Sequence, residues 1–582
     1  LRLENDPRKI PRHHPFKRKN VRDPGGSMSI STGAAGRRQD AWHRFMQQHE
    51  AAAAGQQALL KDILRRNAET GFGREHGFRH LKTVEAYQRE VPIRDWVETS
   101  PYVDAVLAGQ EDMLTAEAPY LFHRTSGTTG TPKMIPFTRR CLAAQERTLR
   151  HWVDRAVLDN PGLLKSGVLA FLNAGIDGHT ERRVPYGSLS GNIYFQLPAE
   201  MRRAFCHPYV LYHIADAAAR RYALLRFALA QPCSFAFTGN ASVLLGMFDF
   251  ADRHAETLIR DIHDGTLSAD FAVADSVRAV ALNTFRPDPR RARALDAARL
   301  RHGRLRPADY WPGLQALGCW IGGSMGHFAP ALREWTGPGV ALRDVGYMAS
   351  EGIFTIPVGN ETPDGMLALH SAVFEFVPEA EFGQPGARAL LAHQLEPGES
   401  YQIVITTTGG LYRYAMHDVV RVTSLRSGSP VLRFLYKGAH GQNLQGEKLT
   451  VEQVTIAMAK LTAEFGLRLR HFQLAAELQR RRYVLQIEPE RPIPADVLPQ
   501  LLPRFERLLG AENDHYEWFR VEGQLAPPGL RVMRAGWFDA LAEEALARLG
   551  RDAQFKPAVL VAQAEHPELA EIVLETGEAA LA

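Results

Sequence analysis

Apolar positions recur at helical spacing between residues 42 and 66, through 51–54, Leu59, Leu60, Ile63 and Leu64, and predict one or two amphipathic helices. Segments 139–160 and 208–230 carry the same helical pattern. Short apolar runs at 168–172, 235–238, 316–321 and 341–345 have the length of buried strands, and helices alternate between them, the pattern of an α/β domain. A strand-like run at 118–123 meets a turn-rich stretch at 125–133. Beyond about residue 365 the texture changes to shorter strands, at 367–369, 373–376, 401–407, 419–422 and 431–436, which predict a small barrel or sheet appended to the α/β body. A glycine-containing stretch, 437–446, makes a hinge. The remainder reads as helix (451–461), strands (471–474 and 483–487), helix (495–509) and strand (517–521), a separate α+β domain.

Composition narrows the class. At 582 residues the chain is long enough for more than one domain, and 45 % hydrophobic with 23 % charged residues is the balance of a globular protein. Wholesale disorder, collagen-like repeats and a coiled-coil rod are excluded. The net charge of +4 is too weak to argue for a nucleic-acid partner, and it is unevenly placed. Residues 1–27 hold eight basic and three acidic side chains, a net +5, so the rest of the chain sums to −1. Residues 1–40, polar and basic, predict a disordered tail or a remnant foreign to the protein, with Met28 a candidate initiator. Cys141, Cys206, Cys233 and Cys319 lie far apart with no metal spacing, which fits buried thiols in a reducing cytoplasm. No stretch reaches the ~18 uninterrupted apolar residues of a membrane span, and the basic start lacks the apolar core of a secretory signal.

The strongest local signal for chemistry is Thr125-Ser126-Gly127-Thr128-Thr129-Gly130-Thr131-Pro132-Lys133. Its glycines let backbone approach an anion, its hydroxyls and N–H groups can grip phosphate oxygens, and Lys133 supplies compensating charge. Gly322-Gly323-Ser324-Met325-Gly326 fits the G-x-S-x-G nucleophile elbow between a strand and a helix, so Ser324 is a rival, hydrolytic candidate; the alternative is a tight turn beside a pocket. Tyr347-Met348-Ala349-Ser350-Glu351-Gly352 follows a buried strand and offers an aromatic to stack on a base and a carboxylate to hold Mg²⁺. Asp418 stands just before a strand, where a carboxylate can accept hydrogen bonds from vicinal ribose hydroxyls.

In this order, the loop at 125–133, Tyr347–Glu351 and Asp418 resemble the adenylate-forming superfamily. Further matches at 63–68, 91–93, Trp311-Pro312, 323–325, 412–414, 418–420, 536–541 and 554–556 resemble the Gretchen Hagen three family of acyl acid amido synthetases over about residues 55–560. The resemblance implies a large N-terminal domain (41–436) of α/β layers plus a β-barrel, and a small mobile C-terminal lid (437–582). It implies ATP and Mg²⁺ as cofactors, and a small carboxylic acid and an amine, an amino acid above all, as substrates. No nucleic acid, membrane or obligate protein partner is implied. Residue by residue, it places Ser126, Gly127, Thr128, Thr129, Gly130 and Lys133 around phosphate, Tyr347 and Ser350 in the nucleotide pocket, Glu351 on Mg²⁺ and Asp418 on ribose. Lys448 matches a lysine just beyond the hinge, and Lys556 the lysine that swings over the α-phosphate.

The chain departs from the plant pattern where Ala415-Met416-His417 replaces Arg-Val-Gly, where Phe555-Lys556-Pro557-Ala558 replaces Tyr-Lys-Thr-Pro-Arg, and across 160–245, where acyl selectivity should partly reside. Its Ala- and Arg-rich composition suggests a high-GC bacterial member. The implied reaction adenylates an acid and then transfers the acyl group to the amine, with His327 and His417 as candidate bases. An acyl-CoA ligase sharing the first step, a Ser324 hydrolase and a nucleotide-binding protein without catalysis are the alternatives.

Overall fold

The computed structural model describes residues 32–110, 112–125, 132–384, 386–437, 442, 444–445, 447, 449–549 and 557–575. The apolar runs at 168–172, 235–238, 316–321 and 341–345 supply a four-stranded parallel sheet in the order Gly167–Ala170, Cys233–Phe237, Ala316–Gly318, Ala341–Arg343. Helices cross between its strands and cover both faces, so every residue of Cys233–Phe237 is buried, which is why these strands read as continuous rather than alternating apolar runs. A short hairpin, Leu121–Arg124 with Met134–Phe137, flanks the phosphate-loop segment and extends into a second four-stranded sheet.

The barrel-or-sheet segment forms seven strands, all antiparallel, in the order Thr355–Pro357, Gly365–Leu367, Ser429–Lys437, Tyr414–Arg426, Ser400–Thr406, Val373–Pro378, Leu390–Leu391. Its hydrophobic face has its own cluster, including Phe374, Phe376, Ile403 and Ile405. The helix Thr32–Glu50 begins inside the stretch read as a tail, and Arg38 there pairs with Asp154 and Glu200. Residues 1–31 lie outside the described residues.

Beyond residue 449, five strands in the order Leu560–Val561, Leu469–Glu477, Arg482–Pro489, Gly529–Met533, Ala570–Glu575 pack against the helices Val451–Phe465 and Leu498–Glu512 around a separate core. One expectation is corrected here. Residues 517–521, read as a strand, belong to the helix Asp514–Val521, because the Asn513 side chain caps it by accepting from the Tyr516 N–H at 2.7 Å. The C-terminal unit meets the larger body where Val451–Phe465 packs on the turn Gly323–Phe328, with Arg421–Glu452 (3.0 Å) and Arg468–Glu334 ion pairs across the junction. No described helix is long and apolar enough to cross a membrane.

Candidate active site

The hairpin, the turn at 347–352 and the strand Tyr414–Arg426 converge on one cluster of charge. Thr125 and Lys133, the described residues on either side of the segment expected to bind phosphate, are tied together: the Thr125 N–H donates to the Lys133 carbonyl (3.0 Å), and the Lys133 N–H donates to Thr125 Oγ1 (2.9 Å). Ser126, Gly127, Thr128, Thr129 and Gly130 lie outside the described residues, as do Lys448 and Lys556 and the side chains of Ser324 and His327.

Lys133 points back over the sheet. Its Nζ donates to Tyr414 Oη (3.1 Å) and lies 5.5 Å from the Trp96 ring centre, a cation–π distance. Burial pushes the Tyr414 hydroxyl's pKa up, and the nearby charges of Glu351 and Asp418 push the same way. Burial pushes the Glu351 carboxyl up, and Asp418 pushes the same way, while Lys437 and Lys133 pull it down. Burial pushes Lys133 down, countered chiefly by Glu351.

Asp418, only 5 % exposed, is held at both oxygens: Lys437 Nζ donates to Oδ1 (3.0 Å) and Tyr347 Oη to Oδ2 (2.6 Å). Lys437 Nζ also donates to the Met416 carbonyl (2.7 Å). Burial opposes the charge of Lys437, but Asp418 and Glu351 together hold its pKa above the ordinary lysine value. The Tyr347 ring stacks on Phe434 with centres 5.4 Å apart, and its backbone N–H donates to Thr355 Oγ1 (2.9 Å). The structure thus brings Lys133, Tyr347, Glu351 and Asp418 together. Ser350 stands beside them in the wall of a second feature.

That feature is an apolar cavity of about 140 Å³ under the parallel sheet's C-terminal edge, walled by Trp152, Ile193, Met201, Phe237, Trp320 and Met348 and reaching Ser350. Its far wall comes from the helix Leu189–Gln196 and its flanks, within the 160–245 stretch. On another side, a mixed-charge groove of about 810 Å³ is lined by Arg94, Asp95, Ala415 and His417. His417 has φ +54° and Arg413 φ +46°, both in the left-handed region. Arg413 is fixed there by a buried ion pair with Glu375 (2.9 Å) and by donation to the Gln88 and Val91 carbonyls; His417 faces the groove.

Three participants escaped the sequence reading. Lys437 was read only as the start of the hinge, yet a signal existed: counting back from the two-residue turn Ser427-Gly428 sets Asp418 opposite Lys437. Tyr414 was quoted without a role. His123 left no signal at all. It is buried against Phe137 (ring centres 3.9 Å), and its Nδ1 lies 3.0 Å from the Ser350 carbonyl, which can only accept, so the proton sits on Nδ1. Burial pushes this imidazole down to about 4, keeping it neutral.

Among the described residues no group of three His, Cys, Asp or Glu side chains could hold a metal by protein ligands alone. A lone buried carboxylate such as Glu351 suits Mg²⁺, which binds through one or two carboxylates plus substrate phosphates.

Profiles of known families decide the identity. The GH3 family N-terminal domain matches residues 41–340, the central domain 365–437 and the C-terminal domain 452–565. The chain belongs to the GH3 family. Among relatives, this GH3 chain is 26 % identical to the indole-3-acetic acid-amido synthetase GH3.8 of Oryza sativa subsp. indica, over 86 % of this chain and 87 % of that one. It is 24 % identical to the jasmonoyl–L-amino acid synthetase GH3.5 of Oryza sativa subsp. japonica, over 87 % and 91 %. Its fold is similar to that of the GH3.15 acyl acid amido synthetase, with TM-score 0.81 at 20 % identity, covering 92 % of this chain and 97 % of that one. A 2-hydroxyisobutyryl-CoA ligase in its postadenylation state shares the fold at TM-score 0.52 and 13 % identity, over 87 % and 89 %.

Proposed function

We propose that this GH3 chain is an ATP-dependent acyl acid amido synthetase. A small carboxylic acid attacks the α-phosphate of ATP, giving acyl-AMP and pyrophosphate; an amine, in this reading an amino acid, then attacks the activated carbonyl and expels AMP. The observation that carries the reading is a shared wall: Ser350 lines the apolar cavity, and the next residue, Glu351, lies close enough to Lys437, Asp418 and Lys133 to interact with their charges. An acid seated in the cavity with its carboxylate toward Ser350 would lie beside this cluster, where Lys133 and Lys437 face Glu351 and Asp418.

The residues divide the work. Asp418, oriented by Lys437 and Tyr347, receives the ribose hydroxyls. Ser126, Gly127, Thr128, Thr129, Gly130 and Lys133 surround the phosphates, and Tyr347 and Ser350 line the nucleotide pocket. Glu351 would hold Mg²⁺, whose chemistry is to neutralise charge on phosphate oxygens. Lys556, carried on the 437–582 lid that moves about the 437–446 hinge, approaches the α-phosphate, and Lys448 stands beyond that hinge. The carboxylate nucleophile needs no base, so catalysis is positioning and charge neutralisation, usually the largest catalytic contribution. Four buried thiols support a reducing cytoplasm, and the Ala- and Arg-rich composition supports a high-GC bacterial source. The names of the relatives, joining indole-3-acetic acid or jasmonate to amino acids, support the same reaction class without fixing the acid.

The test is pyrophosphate release from ATP with a panel of carboxylic acids, crossed with the twenty amino acids, the products weighed by mass spectrometry. An N-acyl amino acid formed only with acid and ATP supports the proposal. A thioester formed only with CoA would turn it into a ligase of the other kind, and acid-independent ester cleavage into a hydrolase.

A further inference from the structure

The strand Tyr414–Arg426 is irregular where it passes the charge cluster. Gln402 pairs with Val419 and Val404 with Ala415, so Met416, His417 and Asp418 stand opposite the single residue Ile403 and bulge from the ladder. Bulges re-aim side chains and recur beside active sites. Within this bulge His417 takes φ +54°, a conformation that is costly with a side chain and free for glycine. Arg413, at φ +46°, is held by Glu375 and two carbonyls. The His417 ring meets the edge of Phe382, with centres 5.7 Å apart, and has no hydrogen-bond partner among the described residues. Strain of this kind, with no bond to hold it, points to function.

His417 is half-buried in the wall of the groove of about 810 Å³. The charges that face it are Lys437 on the neighbouring strand, Lys133 on the hairpin, Asp95 at the N-cap of the helix Trp96–Leu107, and Asp418 beside it. Burial pushes its pKa below the ordinary value, Lys437 and Lys133 push the same way, and Asp95 and Asp418 oppose them. The ring is therefore neutral at pH 7, with a lone pair to offer. Of the groove's other charged walls, Arg94 and Arg413 turn into the fold, toward His76 (2.7 Å) and Glu375 (2.9 Å). Glu85, Asp95 and Glu98 then stand against Arg89, an acidic balance that suits an ammonium ion.

We infer that His417 is the general base of the second step: it takes a proton from a primary amine that enters the groove as an ammonium ion. This rests on the proposed amido synthetase reaction. One proton passes from the ammonium to the imidazole, and the freed lone pair forms the N–C bond to the acyl-AMP carbonyl. The C–O bond to phosphate breaks with its electrons leaving on AMP, and the second proton of the nitrogen goes to water.

The test isolates this step by supplying chemically prepared indole-3-acetyl-AMP, benzoyl-AMP and hexanoyl-AMP to wild type, His417→Asn and His417→Gly. Asparagine and glycine both accept the left-handed backbone, and neither takes a proton. The nucleophiles are each of the twenty amino acids and, separately, hydroxylamine, which is already neutral at pH 7. Wild type should speed amide formation from at least one adenylate and amino acid. Both variants should lose about 10²-fold or more in that rate, the usual size of general-base catalysis, and stay within about threefold of wild type with hydroxylamine. Added imidazole should restore part of the His417→Gly rate. An equal loss with both nucleophiles would make His417 structural and overturn the inference, as would no loss, or no amide formation by wild type. If the His417-dependent step is present but free acids release no pyrophosphate from ATP, the adenylation reading fails while this inference stands.

Discussion

Replacing Lys437 with Met removes one nitrogen and keeps the stem. Asp418 then loses its 3.0 Å donor on Oδ1, and the Met416 carbonyl loses its 2.7 Å donor. The carboxylate, 5 % exposed, is left with Tyr347 alone. Hydrogen bonds to charged groups are worth about 1.5–3 kcal/mol. The Lys437 side chain is 41 % exposed, so solvent screening puts the loss at the lower end, about 1.5 kcal/mol. If Lys437 works by holding Asp418 aimed at ribose, that loss appears as roughly tenfold weaker ATP binding. It should nearly vanish for 2′,3′-dideoxy-ATP, which offers Asp418 nothing to bind. Isothermal titration of both nucleotides against wild type and Lys437→Met reads the difference directly. Equal weakening for the two nucleotides would refute the argument and assign Lys437 to the phosphates instead. A lower melting temperature with ATP affinity untouched would make the ion pair purely structural.

Other expectations follow from the same structure. Lys556→Ala should abolish acid-dependent pyrophosphate exchange while leaving ATP binding largely intact; unchanged exchange removes that lysine from the mechanism. His49 and His151, near His370, have pKa values lowered to about 4 by burial, so the unfolded chain takes up protons below about 6.5 that the folded chain refuses. Stability is therefore full at neutral pH and falls between pH 6.5 and 4, with about 2 kcal/mol lost by pH 4.5 through His49 alone; urea midpoints at pH 7 and 4.5 that coincide would contradict this. His417→Gly should relieve the left-handed backbone at φ +54° and stabilise by about 1 kcal/mol, seen as a raised melting temperature, and a lowered one would mean that the imidazole makes a compensating contact.

Much of this architecture was legible because buried parallel strands leave an unambiguous trace: with both faces covered, 235–238 has no room for a polar side. The phosphate-loop hairpin was legible for the opposite reason, a cluster of turn residues between two apolar runs. What escaped depends on pairing across long sequence separations. His123 reaches a carbonyl 227 residues away, and nothing in its own neighbourhood marks it. Lys437 was within reach of register counting from Ser427-Gly428, and only because its two bulges cancel. The helix Asp514–Val521 was misread because Trp518, Phe519 and Val521 are residue types that favour strands, while the Asn513 cap decides for helix.

The central claim, that a carboxylate in the apolar cavity meets ATP at Lys133, Glu351 and Asp418, is tested most directly by positional isotope exchange. ATP carrying ¹⁸O in the α,β-bridge, the oxygen that leaves with pyrophosphate, is incubated with the chain, Mg²⁺ and one carboxylic acid, and no amine. The account predicts scrambling of the label that requires the acid and that disappears in Asp418→Ala. Scrambling without acid, or none with any acid of the panel, would contradict it.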